Sequence, residues 1–170
     1  YEVPINFEHD HLGNLVLERL GVRPRRKNLY DWKKLARTVR NLSATVKIGV
    51  VGKYFGSGDF ILADAYISVI EAVKHAAYFW KRKPVIEWIS SEKFEKNKNE
   101  LKDLLKYNGI IVPGGFGGRG IEGKIAAIRY CREKKIPCFG LCYGMQLEVI
   151  EFAQSVLGLK GAQTTEISPK

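Results

Sequence analysis

The sequence has few cysteines and no long apolar run, and both deficits narrow the class of protein it encodes. Its three cysteines show neither a CxxC pair nor the spacing of zinc ligands, and an odd number cannot all pair within the chain. No stretch approaches the roughly 20 apolar residues that a membrane-spanning helix needs. The first residues have no basic segment followed by an apolar one, as a signal peptide would have. We therefore expect a reduced, cytoplasmic protein with no metal site and no membrane contact.

Acidic residues are also scarce relative to basic ones. Lys and Arg number 28 against 18 Asp and Glu, which gives a net charge of +10. Clustered positive charge favours nucleic-acid binding. Here, however, the basic clusters lie in separate segments and lack the interleaved aromatic residues of RNA-binding motifs. We expect solvated basic surfaces and a site for an anionic small molecule such as a nucleotide, and no nucleic-acid partner.

The first 44 residues differ in pattern from the rest of the chain. We interpret residues 1–7 as an extended stub, residues 11–21 as a short helix closed by Gly21, and residues 29–42 as an amphipathic helix after a basic turn. No residue type in this part suggests chemistry. The pattern is typical of a linker that packs on a neighbouring domain.

From residue 46 onward, strand patterns alternate with helical patterns. Short β-branched or apolar runs predict strands at residues 46–52, 83–90, 108–115 and 136–142. Helical periodicity predicts helices at residues 64–80, 97–106, 121–134 and 145–157. The first has Asp64 as N-cap and Ile67 among its inward residues, and the third has an apolar stripe from Ile121 to Cys131. This alternation indicates an α/β fold with an open, mostly parallel sheet and helices on both faces. Ligands of such sheets bind beyond the carboxyl ends of the strands, here after Gly52, after Pro113 and at Cys142.

The segment Gly140-Leu141-Cys142-Tyr143-Gly144 has the form G-x-C-x-G between a predicted strand and a predicted helix. This is the cysteine version of a nucleophile elbow, in which the chain turns sharply and presents the sulfur above the sheet. The N-terminus of the following helix favours the thiolate. A buried structural cysteine is the commoner fate of a free thiol, and it suits Cys131 and Cys138. For Cys142 we favour a nucleophile.

An acyl-transfer nucleophile needs hydrogen-bond donors for the oxyanion that forms on the attacked carbonyl. The backbone N–H of Tyr143 is one candidate donor. The glycine-rich run Pro113-Gly114-Gly115-Phe116-Gly117, at the end of the neighbouring predicted strand, supplies a second. These residues alone leave several functions open: a glutamine amidase, another α/β cysteine amidase or peptidase, or a catalytically silent nucleotide-binding module.

A longer run of residues favours one of these functions. The run PGGFGGRGIEGKIAAIRYCREKKIPCFGLCYGMQLEVIEFA resembles the glutaminase domain, of the class I glutamine amidotransferase type, of the CTP synthase family. VGKY followed by DAYISVIEAVKHA, and the leading YEVP with LVLERLG, resemble it as well. The run GFGxRGxxGK distinguishes this family from other glutaminases of the class. The resemblance implies hydrolysis of glutamine through a cysteine thioester, with the ammonia used for ATP-dependent amination of UTP to CTP.

The resemblance also implies roles for individual residues. Cys142 matches the nucleophile, and Gly114 and Tyr143 match the oxyanion-hole donors. Gln146 and Glu166, together with Gly114, match the groups that hold glutamine. The residues that match the GTP-responsive loop are Phe116, Arg119, Gly120 and Lys124. Lys53 and Tyr54 are expected near the same cleft.

The sequence departs from the family pattern in several ways. No His-Pro-Glu segment follows Glu166, so we expect residues 45–170 to be the first part of the amidotransferase domain, incomplete before its catalytic His-Glu pair. Residues 1–44 resemble the linker from the synthetase domain, which would bind ATP and Mg. The run at residues 55–63 is longer than the family pattern. The resemblance further implies GTP as an allosteric effector, no cofactor within these residues, and a homotetramer.

Overall fold

A computed structural model describes residues 1–23, 28–52, 66–115 and 120–165. Within these ranges the chain forms two compact units, one comprising Tyr1–Thr45 with His75–Lys83, and the other Val46–Lys74 with Pro84–Lys170. The predicted N-cap Asp64, the residues Lys53 and Tyr54, and the long run at 55–63 lie outside the described residues. No helix among the described residues is long and apolar enough to cross a bilayer.

The strands of the described sheet are β1 (Thr45–Gly52), β2 (Lys83–Ser90), β3 (Gly109–Val112) and β4 (Cys138–Gly140). They are arranged in the order β2-β1-β3-β4. β1 pairs in parallel with β3, with Ile48 opposite Gly109, and β3 pairs in parallel with β4, with Val112 opposite Gly140. The strand order reverses at β1 and β3, and a ligand crevice forms at such a switch point in open α/β sheets. The predicted open parallel α/β sheet is confirmed.

The sheet is flanked by helices. The sequence pattern predicts all of them to within a few residues except the short one at residues 92–96. They are α4 (Ile67–Phe79), α5 (Glu92–Lys96), a 3-10 helix (Lys98–Lys106), α6 (Ile121–Lys134) and α7 (Tyr143–Ser155). The predicted apolar stripe of α6 is buried, since Ile121, Ile125, Ile128 and Cys131 are all 8% exposed or less. On α4, Ile67 was expected to face inward but is 51% exposed, and Ala77 is the buried residue.

The first unit is more helical than the sequence suggested. It contains α1 (Val3–His9), α2 (Leu12–Arg19) and α3 (Tyr30–Arg40). The expectation of an extended stub at residues 1–7 is therefore wrong. A proline in the first turn of α1 explains the difference, because its fixed φ and missing N–H suit that position of a helix.

A hydrogen bond, an ion pair and a ring contact fix the N-terminal residues within the first unit. The indole Nε1 of Trp32 donates to the carbonyl of Tyr1 at 2.6 Å, and the guanidinium of Arg40 pairs with the carboxylate of Glu2. The ring of Tyr1 also lies edge-on to that of Tyr78, with centroids 5.6 Å apart.

The start of one predicted helix and the type of another differ from the structure. α7 begins at Tyr143, directly after the cysteine, instead of at Met145. The segment predicted as a helix at residues 97–106 is a 3-10 helix that Asn97 caps, its side chain accepting from the N–H of Asn99 at 3.0 Å.

Candidate active site

Cys142 occupies the junction between β4 and α7, in a backbone conformation that few side chains adopt. Its φ is 53° and its ψ is −113°, and it is the N-cap of α7. A non-glycine residue held at positive φ in this way costs about 1–3 kcal/mol, so the surrounding structure must enforce it. Such strain is typical of a nucleophile elbow.

The two flanking glycines, Gly140 and Gly144, permit this turn because the close packing leaves no space for a side chain at either position. Neither glycine has a positive φ. A Cβ on Gly144 would lie 1.8 Å from the carbonyl oxygen of Val112, and one on Gly140 would lie 2.5 Å from the amide nitrogen of Met145. The positive φ of this turn is found on the cysteine itself. Two hydrogen bonds complete the turn, from Leu141 N–H to Val112 O and from Gly144 N–H to Leu141 O, both at 2.9 Å.

The three cysteines differ in exposure, and the difference separates their chemistry. Cys142 is exposed, Cys138 is half-buried, and Cys131 is 0% exposed in the core. A hydrogen bond with Cys131, together with burial, raises the pKa of the Cys138 thiol well above its usual range. Cys138 is therefore a neutral thiol near pH 7, whereas Cys142 combines exposure with a position at a helix N-terminus.

The glycine-rich end of β3 lies against the cysteine. A Cβ on Gly114 would lie 3.2 Å from the Cβ and 3.6 Å from the Sγ of Cys142. The next residue, Gly115, has a φ of 144°, which side chains rarely tolerate. The structure thus brings Cys142 together with both candidate oxyanion donors. Gly114 lies next to Cys142 in space, and Tyr143 follows it in the chain.

A buried lysine anchors this segment. Lys124, on the first turns of α6, is 3% exposed, and its Nζ donates to the carbonyl of Pro113 at 3.3 Å. Gly120, the N-cap of α6, has a φ of 76°. Both residues were predicted to respond to GTP. The structure places Lys124 next to the candidate oxyanion donor Gly114, while Phe116 and Arg119 of the same predicted loop lie outside the described residues.

Gln146 is on the first turn of α7, where its N–H donates to the carbonyl of Cys142 at 3.3 Å. Its side-chain Oε1 accepts from the hydroxyl of Thr164 at 2.8 Å. Glu166, the other residue predicted to hold glutamine, lies outside the described residues. The sequence does not predict the contact of Thr164 with Gln146, because the two residues are 18 positions apart and form no local sequence pattern. The only signal of Thr164 was its place in the run Thr164-Thr165-Glu166.

The three histidines belong to the first unit. Nδ1 of His9 is 3.2 Å from the carboxylate of Asp10, and the ring of His75 lies 6.4 Å from that of Tyr1. His11 precedes α2 with a φ of 55°. Among the described residues, no three His, Cys, Asp or Glu side chains cluster as metal ligands would.

Comparison with known proteins shows which family this sequence matches. Residues 61–168 match the family model described as glutamine amidotransferase class-I. CTP synthase of Listeria monocytogenes is 48% identical over 170 residues, and those of Pyrococcus abyssi and Sulfolobus acidocaldarius are 46% and 43% identical. The matches cover 99–100% of this chain but 30–31% of those proteins. The chain therefore spans about 31% of the length of the curated relatives it matches.

A solved structure is similar as well. The glutaminase domain of Trypanosoma brucei CTP synthase with bound acivicin matches with a TM-score of 0.65 and 38% sequence identity. The match covers 74% of this chain and 47% of that one. Both the sheet and the sequence thus agree with a protein of known fold.

Proposed function

Since the chain belongs to the class-I glutamine amidotransferase family, we propose that it is the first part of the glutaminase of a CTP synthase. The observation that carries the proposal is the strained, exposed Cys142 packed against the backbone of Gly114. The similarity to CTP synthases over nearly the whole chain supports the choice of this enzyme over other α/β cysteine amidases.

In this proposal Cys142 attacks the side-chain amide carbon of glutamine as a thiolate. The N–H groups of Gly114 and Tyr143 donate to the oxygen that becomes negative, and such donors are usually the largest contribution to acyl-transfer catalysis. Collapse of the tetrahedral intermediate breaks the C–N bond and releases ammonia, which leaves a thioester on the sulfur. Water then cleaves the thioester to glutamate.

Both steps need a proton donor and acceptor. We assign that role to the His-Glu pair implied by the resemblance, which does not occur among residues 1–170. Gln146 and Glu166 hold the substrate, Glu166 through the α-ammonium, for which a carboxylate is the natural partner.

The proposal for the whole enzyme follows from the same resemblance. Residues 1–44 are the linker from a synthetase domain, and residues 45–170 begin the amidotransferase domain. The synthetase domain binds ATP and Mg and aminates UTP with the released ammonia. GTP acts on Phe116, Arg119, Gly120 and Lys124, and the enzyme is a cytoplasmic homotetramer.

The test uses the full-length enzyme with Cys142→Ala. Because the sulfur serves only ammonia release, glutamine-dependent CTP formation should fall by more than about 10⁴-fold. Formation from added ammonium should stay within about two-fold of the wild-type rate. Cys138→Ala, which removes a half-buried thiol from β4, the strand that leads into Cys142, is the matched control and should preserve both activities. An equal loss of the ammonium reaction in Cys142→Ala would make the cysteine structural and overturn the proposal.

A further inference from the structure

The chain that follows α7 returns along that helix toward its first turn. After Ser155 the chain reverses at Gly158, whose φ is 73°. The N–H of Leu159 donates to the carbonyl of Ala153 at 3.0 Å, and Nε2 of Gln154 donates to the carbonyl of Ala162 at 2.8 Å. The returning segment is therefore held to α7 by both backbone and side-chain hydrogen bonds.

This segment ends on the helix turn next to the nucleophile. The hydroxyl of Thr164 donates to Oε1 of Gln146 at 2.8 Å in a partly buried contact. Side chains on a helix tilt toward its N-terminus, so Gln146 covers the turn that begins at Cys142. Thr164 therefore contacts a side chain four residues from the sulfur.

In this contact the structure has the Gln146 amide in one of its two orientations, with Oε1 toward the hydroxyl. The terminal torsion of glutamine is broad and nearly two-fold, so donor and acceptor ends can exchange places. A hydroxyl that donates to Oε1 holds the oxygen toward Thr164 and directs the Nε2 donors elsewhere. Donors are the groups that a carbonyl or carboxylate of a substrate requires, and ordering them beforehand reduces the entropy lost on binding.

We propose that Thr164 is a positioning residue for glutamine, and that its hydroxyl sets the Gln146 amide as a hydrogen-bond donor to the substrate. The inference rests on the proposed glutaminase function and assigns a role to a residue that does not itself touch the reacting atoms. The hydroxyl of Thr164 acts before the substrate arrives, by fixing the side chain that receives it.

Four variants of the full-length enzyme test the role. Thr164→Val keeps the shape and removes the hydroxyl, so KM for glutamine should rise about 5- to 15-fold while kcat changes by less than about three-fold. Thr164→Ser restores the hydroxyl and should return KM to within about two-fold of wild type. The exposed neighbour provides the matched control, Thr165→Val, which should leave KM within about two-fold. In a Gln146→Ala background, Thr164→Val should have no further effect, because the partner is gone.

A second readout separates positioning from folding. Thr164→Val should slow labelling of Cys142 by an electrophilic glutamine analogue but not by iodoacetamide, which is too small to use Gln146. Ammonium-dependent CTP formation, measured on the same preparation, reports whether the enzyme is folded.

The inference is overturned if Thr164→Ser is as impaired as Thr164→Val, if the two valine variants behave alike, or if the effect persists in the Gln146→Ala background. Any of these results with a wild-type enzyme active on glutamine leaves the proposed function standing. A wild-type enzyme inactive on glutamine would instead overturn the proposed function.

Discussion

Glu151 is a carboxylate only 1% exposed, and it lies on the inner side of α7. Burial raises the pKa of this group, but hydrogen bonds from Arg132 and Ser155 and the charges of Arg132 and Arg129 outweigh that effect, so the net pKa is below the usual value. Arg132 binds both carboxylate oxygens, at 2.9 and 2.8 Å, and Arg129 adds a contact at 3.5 Å. Because both arginines are on α6, the ionised carboxylate ties the two helices together.

This arrangement predicts a specific dependence of stability on pH. A folded-state pKa below the unfolded value means that the contribution is present above the unfolded pKa, about 4.3 for Glu, and is lost as pH falls through the folded pKa. Glu151→Gln should lower the free energy of unfolding at pH 7 by about 1–3 kcal/mol, since an amide keeps part of the hydrogen bonding. The difference between wild type and variant should shrink below about pH 4.

Urea unfolding of the purified chain at a series of pH values measures this difference. Glu122→Gln is the control, because Glu122 is an exposed carboxylate on the same helix, α6, that carries both arginines. If the difference in free energy of unfolding between wild type and Glu151→Gln stayed constant from pH 7 to pH 3, the ionised pairing of Glu151 with the arginines would be contradicted.

The strand-turn-helix segment formed by β4, Cys142 and α7 is held to β3 by contacts that leave no space. The contact at Gly144 is the tightest of these. A Cβ added there would meet backbone atoms of Val112, and not a side chain that could move aside. A methyl group there must push the first turn of α7 away from β3. That movement displaces Cys142 relative to Gly114, which is at the end of the same strand.

We predict that Gly144→Ala destabilises the fold by at least about 3 kcal/mol, the upper end of typical overpacking costs. The measurement is urea unfolding, with labelling of Cys142 by an electrophilic glutamine analogue as a probe of the site. Gly161→Ala is the matched control, since nothing lies within 4 Å of its added Cβ, and it should change stability by less than about 0.5 kcal/mol. Equal stabilities for the two variants would mean that α7 does not pack on β3 as described.

The helices and strands differ in how far the sequence predicts them. The sheet, α6 and the cysteine turn are predicted because they depend on local patterns: β-branched runs, an apolar stripe from Ile121 to Cys131, and glycines around one cysteine. α1 is missed because its apolar residues Val3, Ile5 and Phe7 alternate as they would in a strand, and none of them is buried. The Thr164 contact is missed because it depends on how a segment returns along α7 and not on neighbouring residues.

The role of the glycines in the cysteine turn illustrates the same limit. The sequence predicts a sharp turn at G-x-C-x-G but does not show which residue adopts the unusual conformation. The strain lies on Cys142, because the small volume of Gly140 and Gly144, and not their freedom of φ, is what the packing requires. Volume requirements of this kind depend on the neighbouring strand, which the local sequence does not specify.

The 170 residues contain the nucleophile side of the proposed site and three histidines, all of which belong to the first unit. His9 lies beside Asp10 and is 90% exposed at its side chain, and His75 lies against Tyr1 within the first unit. His11 serves as the N-cap residue of α2 in a left-handed conformation.

The 170-residue chain purified by itself should keep a reactive cysteine but should not turn over glutamine. Its Cys142 should react with an electrophilic glutamine analogue, because the exposed sulfur at a helix N-terminus needs no base for a single alkylation. Sustained glutamine hydrolysis should be absent, with turnover below about 10⁻³ s⁻¹ against the 1–10³ s⁻¹ of ordinary enzymes, because ammonia release and thioester hydrolysis both need an acid-base partner. Ammonia release from glutamine and mass-spectrometric labelling of Cys142, measured on one preparation, provide the comparison, with Cys142→Ala as the unlabelled control. Turnover at an ordinary enzymatic rate would establish that one of the three histidines, or another group among these residues, acts as the base.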